Sequence, residues 1–323
     1  MSARPVLLKA DRLTKFFPLP RGRRIHALDD VSLTIHEREI VGLVGESGSG
    51  KSTLGKTIVG LHDKTSGSVD YRGERLPKAY RPADFRRHAK TMQMIFQDPY
   101  SSLNPRMTVG EIIGEGLAVG TSLSRTEIEA RVADWLGRVG LEPGHMSRYP
   151  HEFSGGQRQR IGIARALIQG PEFVVCDEPI SALDVSVQAQ VVNLLQELQD
   201  AMGLTLLFIA HDLSMVRYVS DRMAVMYLGG LVEIGPATEV FFHPQHPYTQ
   251  ALIASNPEPD PERERRRGPT AISGEIPSPI DIPPGCRFAG RCPHVMPRCR
   301  SETPALRPLS GQPARLVACH LHP

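Results

Sequence analysis

The stretch that most constrains this chain is Gly45-Glu46-Ser47-Gly48-Ser49-Gly50-Lys51-Ser52-Thr53, which satisfies the pattern G-x-x-x-x-G-K-[ST]. It follows the apolar run 40–44, which is typical of a buried strand, and residues 54–61 can continue as a helix. In this context the glycines let backbone N–H groups converge on an anion, and the helix N-terminus adds partial positive charge. We expect Lys51 to reach the β- and γ-phosphates of a nucleotide and the Ser52 hydroxyl to bind Mg²⁺. The alternative is a glycine-rich turn that carries a lysine by chance.

A second glycine-rich turn, Ser154-Gly155-Gly156-Gln157, precedes a predicted helix that runs through Gln169. Ser154 is placed to cap this helix, and the two glycines leave the helix N-terminus open. The turn is therefore a second candidate anion site, with an ordinary serine cap as the alternative. The segment from Tyr100 onward is also predicted to be helical, and it contains a capping box at 124–127.

Polar side chains directly follow three apolar runs that are typical of buried strands: Gln97 after 92–96, Asp177 and Glu178 after 173–176, and His211 after 205–210. Ligands of parallel sheets bind beyond the carboxyl ends of the strands, so we expect these side chains to serve one site. Asp177 suits the Mg²⁺ shell, and Glu178 suits orienting or deprotonating a water. Gln97 is a candidate Mg²⁺ or water ligand, and His211 can hydrogen-bond a γ-phosphate. Taken alone, Gln97 is a weak signal and His211 would more simply be a loop histidine.

Composition limits the remaining classes of function. A length of 323 residues favours about two domains, and a net charge of +3 is too small to indicate a nucleic-acid face. No apolar run approaches the ~20 residues that cross a bilayer, and the N-terminus lacks the apolar segment of a signal peptide. We expect a cytoplasmic protein that could serve a membrane only by docking onto another protein.

Together and in this order, the elements resemble the nucleotide-binding subunit of an ABC transporter, over roughly residues 6–255 without a gap. The matching elements are Gly45–Thr53 with the Walker A loop, Gln97 with the Q-loop, Ser154–Gln157 with the signature, Phe173–Glu178 with Walker B and its catalytic glutamate, Ser181–Asp184 with the D-loop, and His211 with the switch histidine. Phe17 falls at the place of the adenine-stacking aromatic, although a core aromatic is the simpler interpretation of that residue by itself.

The resemblance implies an α/β fold of the P-loop NTPase class: a RecA-like parallel core sheet with an antiparallel β subdomain and an inserted helical subdomain. We expect the ABC nucleotide-binding domain at 1–255, with the helical subdomain at about 100–170. A proline-rich linker and a small irregular, cysteine-containing C-terminal extension would occupy 256–323. Two subunits would meet head to tail, so that Ser154 and Gly156 of one close on the γ-phosphate held by Lys51 of the other.

A finer resemblance lies in Phe96–Pro105 (FQDPYSSLNP), His246–Thr249 (HPYT) and the cysteine-bearing tail. These stretches look like the ATPases of oligopeptide and dipeptide importers, and more like their F-type than their D-type subunit. The resemblance implies two transmembrane permease subunits, a paralogous D-type ATPase partner and an extracytoplasmic solute-binding protein. The chain would be peripheral, on the cytoplasmic face of the inner membrane. The permease's coupling helix is expected at a groove around Gln97 and 100–150.

Three other functions stay open at this point. Relatives also carry nickel or other small solutes. An ABC ATPase outside transport would carry long coiled coils or two cassettes, whereas this chain has one cassette and no sustained heptads. A non-hydrolysing regulator would not need Glu178 and His211. We therefore expect hydrolysis of ATP, with Mg²⁺, to drive uptake of peptides, without contact to nucleic acid.

Four of the five cysteines, Cys286, Cys292, Cys299 and Cys319, fall in the tail with the spacing C-x5-C-x6-C-x19-C. Disulfides are disfavoured in the cytoplasm. Four cysteine ligands suit a [4Fe–4S] cluster, and the proline after Cys292 often follows such a ligand. Zinc is the alternative, since histidines stand nearby, although zinc sites usually show shorter spacing. The importer resemblance also implies the cluster, so we expect iron–sulfur ligation that staples the tail.

Overall fold

The computed structural model describes residues 4–181, 183–255, 274–275 and 277–322. The strands are, in chain order, β1 (Val6–Pro18), β2 (Arg24–His36), β3 (Ile40–Val44), β4 (Ser66–Tyr71), β5 (Glu74–Arg75), β6 (Met92–Ile95), β7 (Phe173–Asp177), β8 (Thr205–Ile209), β9 (Arg222–Tyr227), β10 (Gly230–Pro236), β11 (Arg307–Leu309) and β12 (Gln312–Val317).

The α-helices are α1 (Lys51–Ile58), α2 (Pro82–His88), α3 (Pro99–Ser102), α4 (Val109–Gly120), α5 (Arg125–Arg138), α6 (Gly155–Leu167), α7 (Val185–Met202), α8 (Leu213–Val219), α9 (Ala237–Phe242) and α10 (Pro247–Ala254). Short 3-10 turns lie at Pro20–Gly22, Pro143–Ser147, Pro150–Glu152 and Pro297–Arg300. None of the helices in the described ranges is long and apolar enough to cross a membrane.

The described residues form two compact units, named here by position along the chain. The central unit is residues 80–209, and the terminal unit combines 5–79 with the described residues from 210 onward. Each unit contains part of the predicted nucleotide machinery: the glycine-rich loop 45–53 belongs to the terminal unit, and the turn 154–157 to the central unit.

The terminal unit contains two sets of strands. One is an antiparallel sheet in the order β2-β1-β4-β5. In the other, β11, β12, β10 and β9 pair antiparallel in that order, and β9 pairs parallel with β3. Every residue of β3 is buried, as its uninterrupted apolar sequence predicts for a strand that is covered on both faces. The glycine-rich loop leaves the carboxyl end of this strand.

The central unit contains the parallel strands β8, β7 and β6 in that order, with all of β7 and β8 buried. The helices α3 to α6 occupy most of the region that was predicted to be helical. The predicted capping box is present: the Ser124 hydroxyl accepts from the Glu127 N–H, and the Ser124 N–H donates to the Glu127 carboxylate. Trp135 on α5 is 6% exposed and belongs to the core.

Two parts of the chain are more regular than the sequence predicts. The alternation of apolar residues predicts strands only at Leu7–Leu13 and Val31–Ile35. The observed strands extend to Val6–Pro18 and Arg24–His36, because they pair as a long hairpin with shifts in register. The C-terminal extension, expected to be irregular, forms β11 and β12. Strand β12 gains regular hydrogen bonds by adding to β10, with Glu233 opposite Val317 and Ile234 opposite Leu316.

Candidate nucleotide site

The loop between β3 and α1 has a backbone that only glycine permits at two positions. Gly45 has φ +153, and a Cβ there would stand 2.1 Å from the Met226 carbonyl oxygen. Gly50 has φ +104, and a Cβ there would stand 2.3 Å from the Ala27 carbonyl oxygen. The loop therefore packs closely on the neighbouring backbone while its tip, Ser47 and Gly48, stays exposed. This leaves the N–H groups of the tip open to a phosphate.

Lys51 lies at the first turn of α1 and is only 5% exposed. Its ammonium donates to the carbonyl oxygens of Gly45, at 2.8 Å, and Glu46, at 3.1 Å. These two backbone carbonyls are neutral acceptors, which the oxygens of an anionic ligand can replace. Ser52 and Thr53 follow on the same turn and are half-buried, whereas Ser49 is buried.

The central unit joins two of the predicted residues directly. The Gln97 side-chain N–H donates to the Glu178 carboxylate at 2.6 Å. Asp177, the last residue of β7, is 2% exposed, and Glu178 follows it with φ +46, a strained conformation for a residue other than glycine. Such strain is concentrated at functional sites, since the surrounding fold must maintain it. The amide of Gln97 and the two carboxylates thus converge at the carboxyl ends of β6 and β7.

The turn 154–157 is a complete capping box at the start of α6. The Gln157 N–H donates to the Ser154 hydroxyl at 3.3 Å, and the Ser154 N–H donates to the Gln157 side-chain oxygen at 3.0 Å. Ser154 itself is exposed, while Gly155 and Gly156 are half-buried. A Cβ on Gly156 would meet Val187 of α7 at 2.5 Å, so a glycine is required where the two helices touch. The helix N-terminus is thereby both rigid and accessible.

The predicted D-loop, Ser181–Asp184, follows Asp177 and Glu178 along the chain. The Ser181 hydroxyl donates to the Glu178 carbonyl at 3.2 Å, and the Leu183 N–H donates to the Ile180 carbonyl at 3.1 Å. Asp184 is exposed and stands as the N-cap residue of α7. Residue 182 of this predicted element lies outside the described residues.

His211 and Phe17 belong to the terminal unit with the glycine-rich loop. His211 is exposed and precedes Asp212, whose carboxylate caps α8 by accepting from the N–H groups of Ser214 and Met215. Phe17 is half-buried near the end of β1, edge-on to the His62 ring at 5.3 Å. The Lys15 ammonium lies 4.9 Å from the centroid of the Phe17 ring. The roles of both residues stay predictions.

The prediction of an iron–sulfur cluster is contradicted. Cys286, Cys292, Cys299 and Cys319 line one cavity of about 10 Å³, near the volume of a single water. Among the described residues, which include all four cysteines, no group of three or more His, Cys, Asp or Glu side chains is arranged to hold a metal ion. Burial also raises the pKa of the Cys286 thiol to about 11, against the thiolate form that metal binding requires. Zinc, the alternative, fails on the same arrangement.

The sequence reasoning missed the contacts of Glu46, the second residue of the loop. Its N–H donates to the Tyr248 hydroxyl at 2.9 Å, and its carboxylate accepts two hydrogen bonds from Arg291. The one available signal was the HPYT stretch, His246–Thr249, which contains Tyr248 but does not indicate its contact with the loop.

Comparisons with known proteins find relatives of both the ATP-binding region and the C-terminal region. A family model described as "ABC transporter" matches residues 28–181, and one described as "Oligopeptide/dipeptide transporter, C-terminal region" matches residues 232–299. The protein YkfD of Bacillus subtilis (strain 168) is 54% identical over 317 residues, which are 98% of this chain and 95% of that protein. Oligopeptide transport ATP-binding protein OppF of Escherichia coli (strain K12) is 50% identical over 312 residues, 94% of this chain and 93% of that protein.

Solved structures resemble the chain over a shorter length. A dimer of the ATP-binding cassette MJ0796, in a post-hydrolysis state bound to ADP and Pi, has a TM-score of 0.66 and 28% identity. It covers 72% of this chain and 99% of the cassette. The cbiO1 protein from Clostridium perfringens, described as part of the ABC transporter complex cbiONQ, has a TM-score of 0.65 and 28% identity, covering 74% and 92%. The matched fold therefore leaves about a quarter of this chain uncovered.

Proposed function

Because the chain belongs to the ATP-binding subunits of oligopeptide-type ABC transporters, and resembles their F-type member, we propose that its ATPase activity drives uptake of peptides through a membrane permease. The observation that carries this proposal is identity of about half to relatives of that type over almost the whole chain, including the C-terminal region. A cassette match alone would leave the transported solute open.

In the proposed mechanism, the triphosphate of ATP is bound by the N–H groups of the loop tip and by Lys51. The ammonium of Lys51 exchanges its two backbone carbonyl contacts for phosphate oxygens, which are stronger acceptors because they carry charge. Phe17 is the proposed stacking partner of the adenine, since its ring is only half-buried and stands on the same unit as the loop.

The remaining polar side chains supply the chemistry of hydrolysis. Glu178 orients and deprotonates the attacking water, and the bond from Gln97 holds the carboxylate in place until substrate is bound. Ser52, Asp177 and the Gln97 amide oxygen are a hydroxyl, a carboxylate and an amide, which is the all-oxygen donor set that Mg²⁺ prefers. When bound, that ion neutralises charge on the β- and γ-phosphates. We assign the hydrogen bond to the γ-phosphate to His211.

We propose that the nucleotide site is completed by a second ATPase subunit, a D-type paralogue, in a head-to-tail dimer. Ser154–Gln157 and Asp184 of this chain would then face the nucleotide of the partner. The exposure of Ser154 and Asp184 supports this, because a capped helix N-terminus open to solvent can receive an anion from outside its own subunit. The proposed nucleotide-binding domain is 1–255, with α3 to α6 as its helical subdomain at about 100–170.

The proposed permease contact is a groove of about 560 Å³ in the central unit. Phe96, which directly precedes Gln97, lines this groove together with Phe85 and Val119. Phe85 is 38% exposed and Val119 74%, a degree of apolar exposure that is typical of protein contacts. A coupling helix of the permease seated here would lie one residue from the Gln97–Glu178 pair. The complex would place the chain on the cytoplasmic face of the inner membrane, with a solute-binding protein on the other side.

The experiment that tests this function compares Lys51→Ala and Glu178→Gln in the complex with its permease. Lys51→Ala should lose most ATP affinity, because the triphosphate loses its main counter-charge. Glu178→Gln should bind ATP but hydrolyse it about 10²-fold more slowly or worse, since the amide cannot accept the proton. Both variants should stop peptide uptake into proteoliposomes. Unchanged ATP affinity in the first, near-normal turnover in the second, or wild-type complex that hydrolyses ATP without importing peptides would contradict the proposal.

A further inference from the structure

The phosphate-binding loop contains a carboxylate, that of Glu46, which has no role in the proposed mechanism. Glu46 is the second residue of the loop, and its backbone carbonyl is one of the two acceptors that hold Lys51. A negative side chain beside a triphosphate site lowers affinity for the anion unless another group neutralises it.

Arg291 neutralises Glu46 with a two-pronged ion pair. Its two terminal nitrogens lie 2.9 and 3.1 Å from the two carboxylate oxygens, the geometry that makes arginine–carboxylate pairs both strong and directional. The Arg291 side chain is only 6% exposed and that of Glu46 19%, so water screens the pair weakly. Arg291 also donates to the Tyr227 hydroxyl at 3.3 Å, which fixes the guanidinium from a second side.

The backbone of Glu46 is held as well as its side chain. Its N–H donates to the hydroxyl of Tyr248, a fully buried residue on α10. One residue of the loop is therefore bound at three points: its N–H by Tyr248, its carboxylate by Arg291, and its carbonyl by Lys51. Tyr248 and Arg291 both lie after β10 in the chain.

The segment that carries Arg291 is itself anchored by packing and by charge. The Phe288 ring meets Tyr227 and Tyr248 edge-on, each at 5.4 Å between centroids. Arg287 donates to the backbone carbonyls of Leu228 and Asp29, and its guanidinium pairs with the Asp29 carboxylate at 3.0 Å. Aromatic contacts of this kind add specificity of position beyond area burial. Arg291 is thus presented to the loop by a fixed support.

We infer that the C-terminal segment 286–291 is a positioning element of the phosphate-binding loop, in which Arg291 masks the charge of Glu46 and, with Tyr248, sets the carbonyls that orient Lys51. Arg291 is a positioning residue: it acts on the nucleotide through Glu46. The inference rests on the proposed function and extends the ATP site to residues beyond the cassette itself.

The test measures ATP binding by calorimetry and the KM and kcat of hydrolysis in the full chain assembled with its permease. Arg291→Gln should raise the ATP Kd and KM about tenfold with kcat within about twofold, because the exposed charge of Glu46 weakens ground-state binding. The double variant Arg291→Gln with Glu46→Gln should regain most of the affinity, since both charges are then gone. Arg298→Gln is the matched control, because Arg298, seven residues beyond Arg291, forms an exposed pair with Glu302. It should leave KM unchanged.

A merely structural role for Arg291 predicts a different pattern: a lower melting temperature and a lower active fraction, with KM unchanged and no rescue by Glu46→Gln. That pattern, or an Arg291→Gln variant that binds ATP like the wild type, would overturn the inference. If Arg291→Gln does not fold, Tyr248→Phe removes only the acceptor of the Glu46 N–H, and an unchanged KM there would overturn it equally. The proposed function fails separately, if Lys51→Ala binds ATP normally.

Discussion

A buried ion pair between β10 and β12 allows the attachment of strand β12 to be tested. Glu233 of β10 is completely buried, and Arg315 of β12 is 4% exposed by side chain. The Arg315 guanidinium donates to the Glu233 carboxylate at 3.0 Å. The same carboxylate accepts from the N–H of Gln245, at 3.0 Å, and of His246, at 2.9 Å. One charge thus connects two strands and the start of α10.

The free-energy cost of removing Arg315 depends on the contacts that the Glu233 carboxylate keeps. Arg315→Met leaves a buried carboxylate without its counter-charge, which costs about 3–5 kcal/mol in comparable pairs. The two backbone N–H groups still solvate Glu233, so we expect the lower end, about 3 kcal/mol. Adding Glu233→Gln removes the charge but keeps an acceptor, and the total cost should fall to about 1 kcal/mol. The exposed pair Arg125–Glu129 supplies the control: Arg125→Met should leave the free energy of unfolding nearly unchanged, because water screens that pair.

The assay is hydrogen–deuterium exchange of the β10 and β12 amides, which reports the local free energy of opening, together with urea unfolding of the whole chain. Arg315→Met should speed exchange at Ile234 and Leu316, which pair across these strands. A cost below about 1 kcal/mol, or a double variant as unstable as the single one, would refute the reasoning. It would mean that the carboxylate is better solvated than its burial implies.

Two further predictions concern pH and assembly. Burial lowers the pKa of His246 to about 3, so the unfolded chain takes up a proton near its ordinary pKa while the folded chain does not. Stability should therefore fall as pH drops from about 6.5 toward 3, by up to about 1.4 kcal/mol per pH unit from this group. His246→Asn keeps an acceptor for the Tyr248 N–H and should flatten that slope in urea titrations; an unchanged slope would contradict the assignment. Ser154→Arg should leave ATP binding by the isolated chain intact but slow turnover of the assembled complex at least about tenfold, since Ser154 serves the partner's nucleotide. Loss of binding in the isolated chain would place Ser154 in its own site.

The sequence predicted best where function demands a local pattern. The placement of the loop 45–53 between a strand and a helix could be predicted because a phosphate-binding pattern of glycines, lysine and hydroxyl requires that context. The position of Asp177 and Glu178 at the end of a buried strand could be predicted because they end a short apolar run, and the structure adds the bond to Gln97. The ends of β1 and β2 could not be predicted, because hairpin pairing, rather than alternation, carries them through polar residues.

Prediction failed where partners are distant in sequence. Arg291 and Glu46 are 245 positions apart, and neither residue type nor spacing marks them as a pair. The prediction of an iron–sulfur cluster was wrong for a different reason. The spacing of the four cysteines suggested that they bind one metal centre, whereas metal binding depends on the arrangement of the thiols in the fold. In the fold they line a cavity of about 10 Å³, and burial raises the pKa values of Cys292 and Cys319 as well as that of Cys286. Spacing constrains a metal site only when the intervening chain is a tight turn.

The two ion pairs of the C-terminal part have separable consequences. Glu233 holds the backbone of His246, two residues before Tyr248, so Arg315 stabilises the position of α10 without touching the loop. Arg291 touches the loop directly, through its largely buried pair with Glu46. Arg315 variants should therefore change stability with KM preserved for as long as β12 stays paired with β10, whereas Arg291 variants should change KM, and Glu46→Gln should reverse that change. Observing both patterns would show that one charge pair, Arg315–Glu233, stabilises the C-terminal part of the chain, and that another, Arg291–Glu46, adjusts the nucleotide loop.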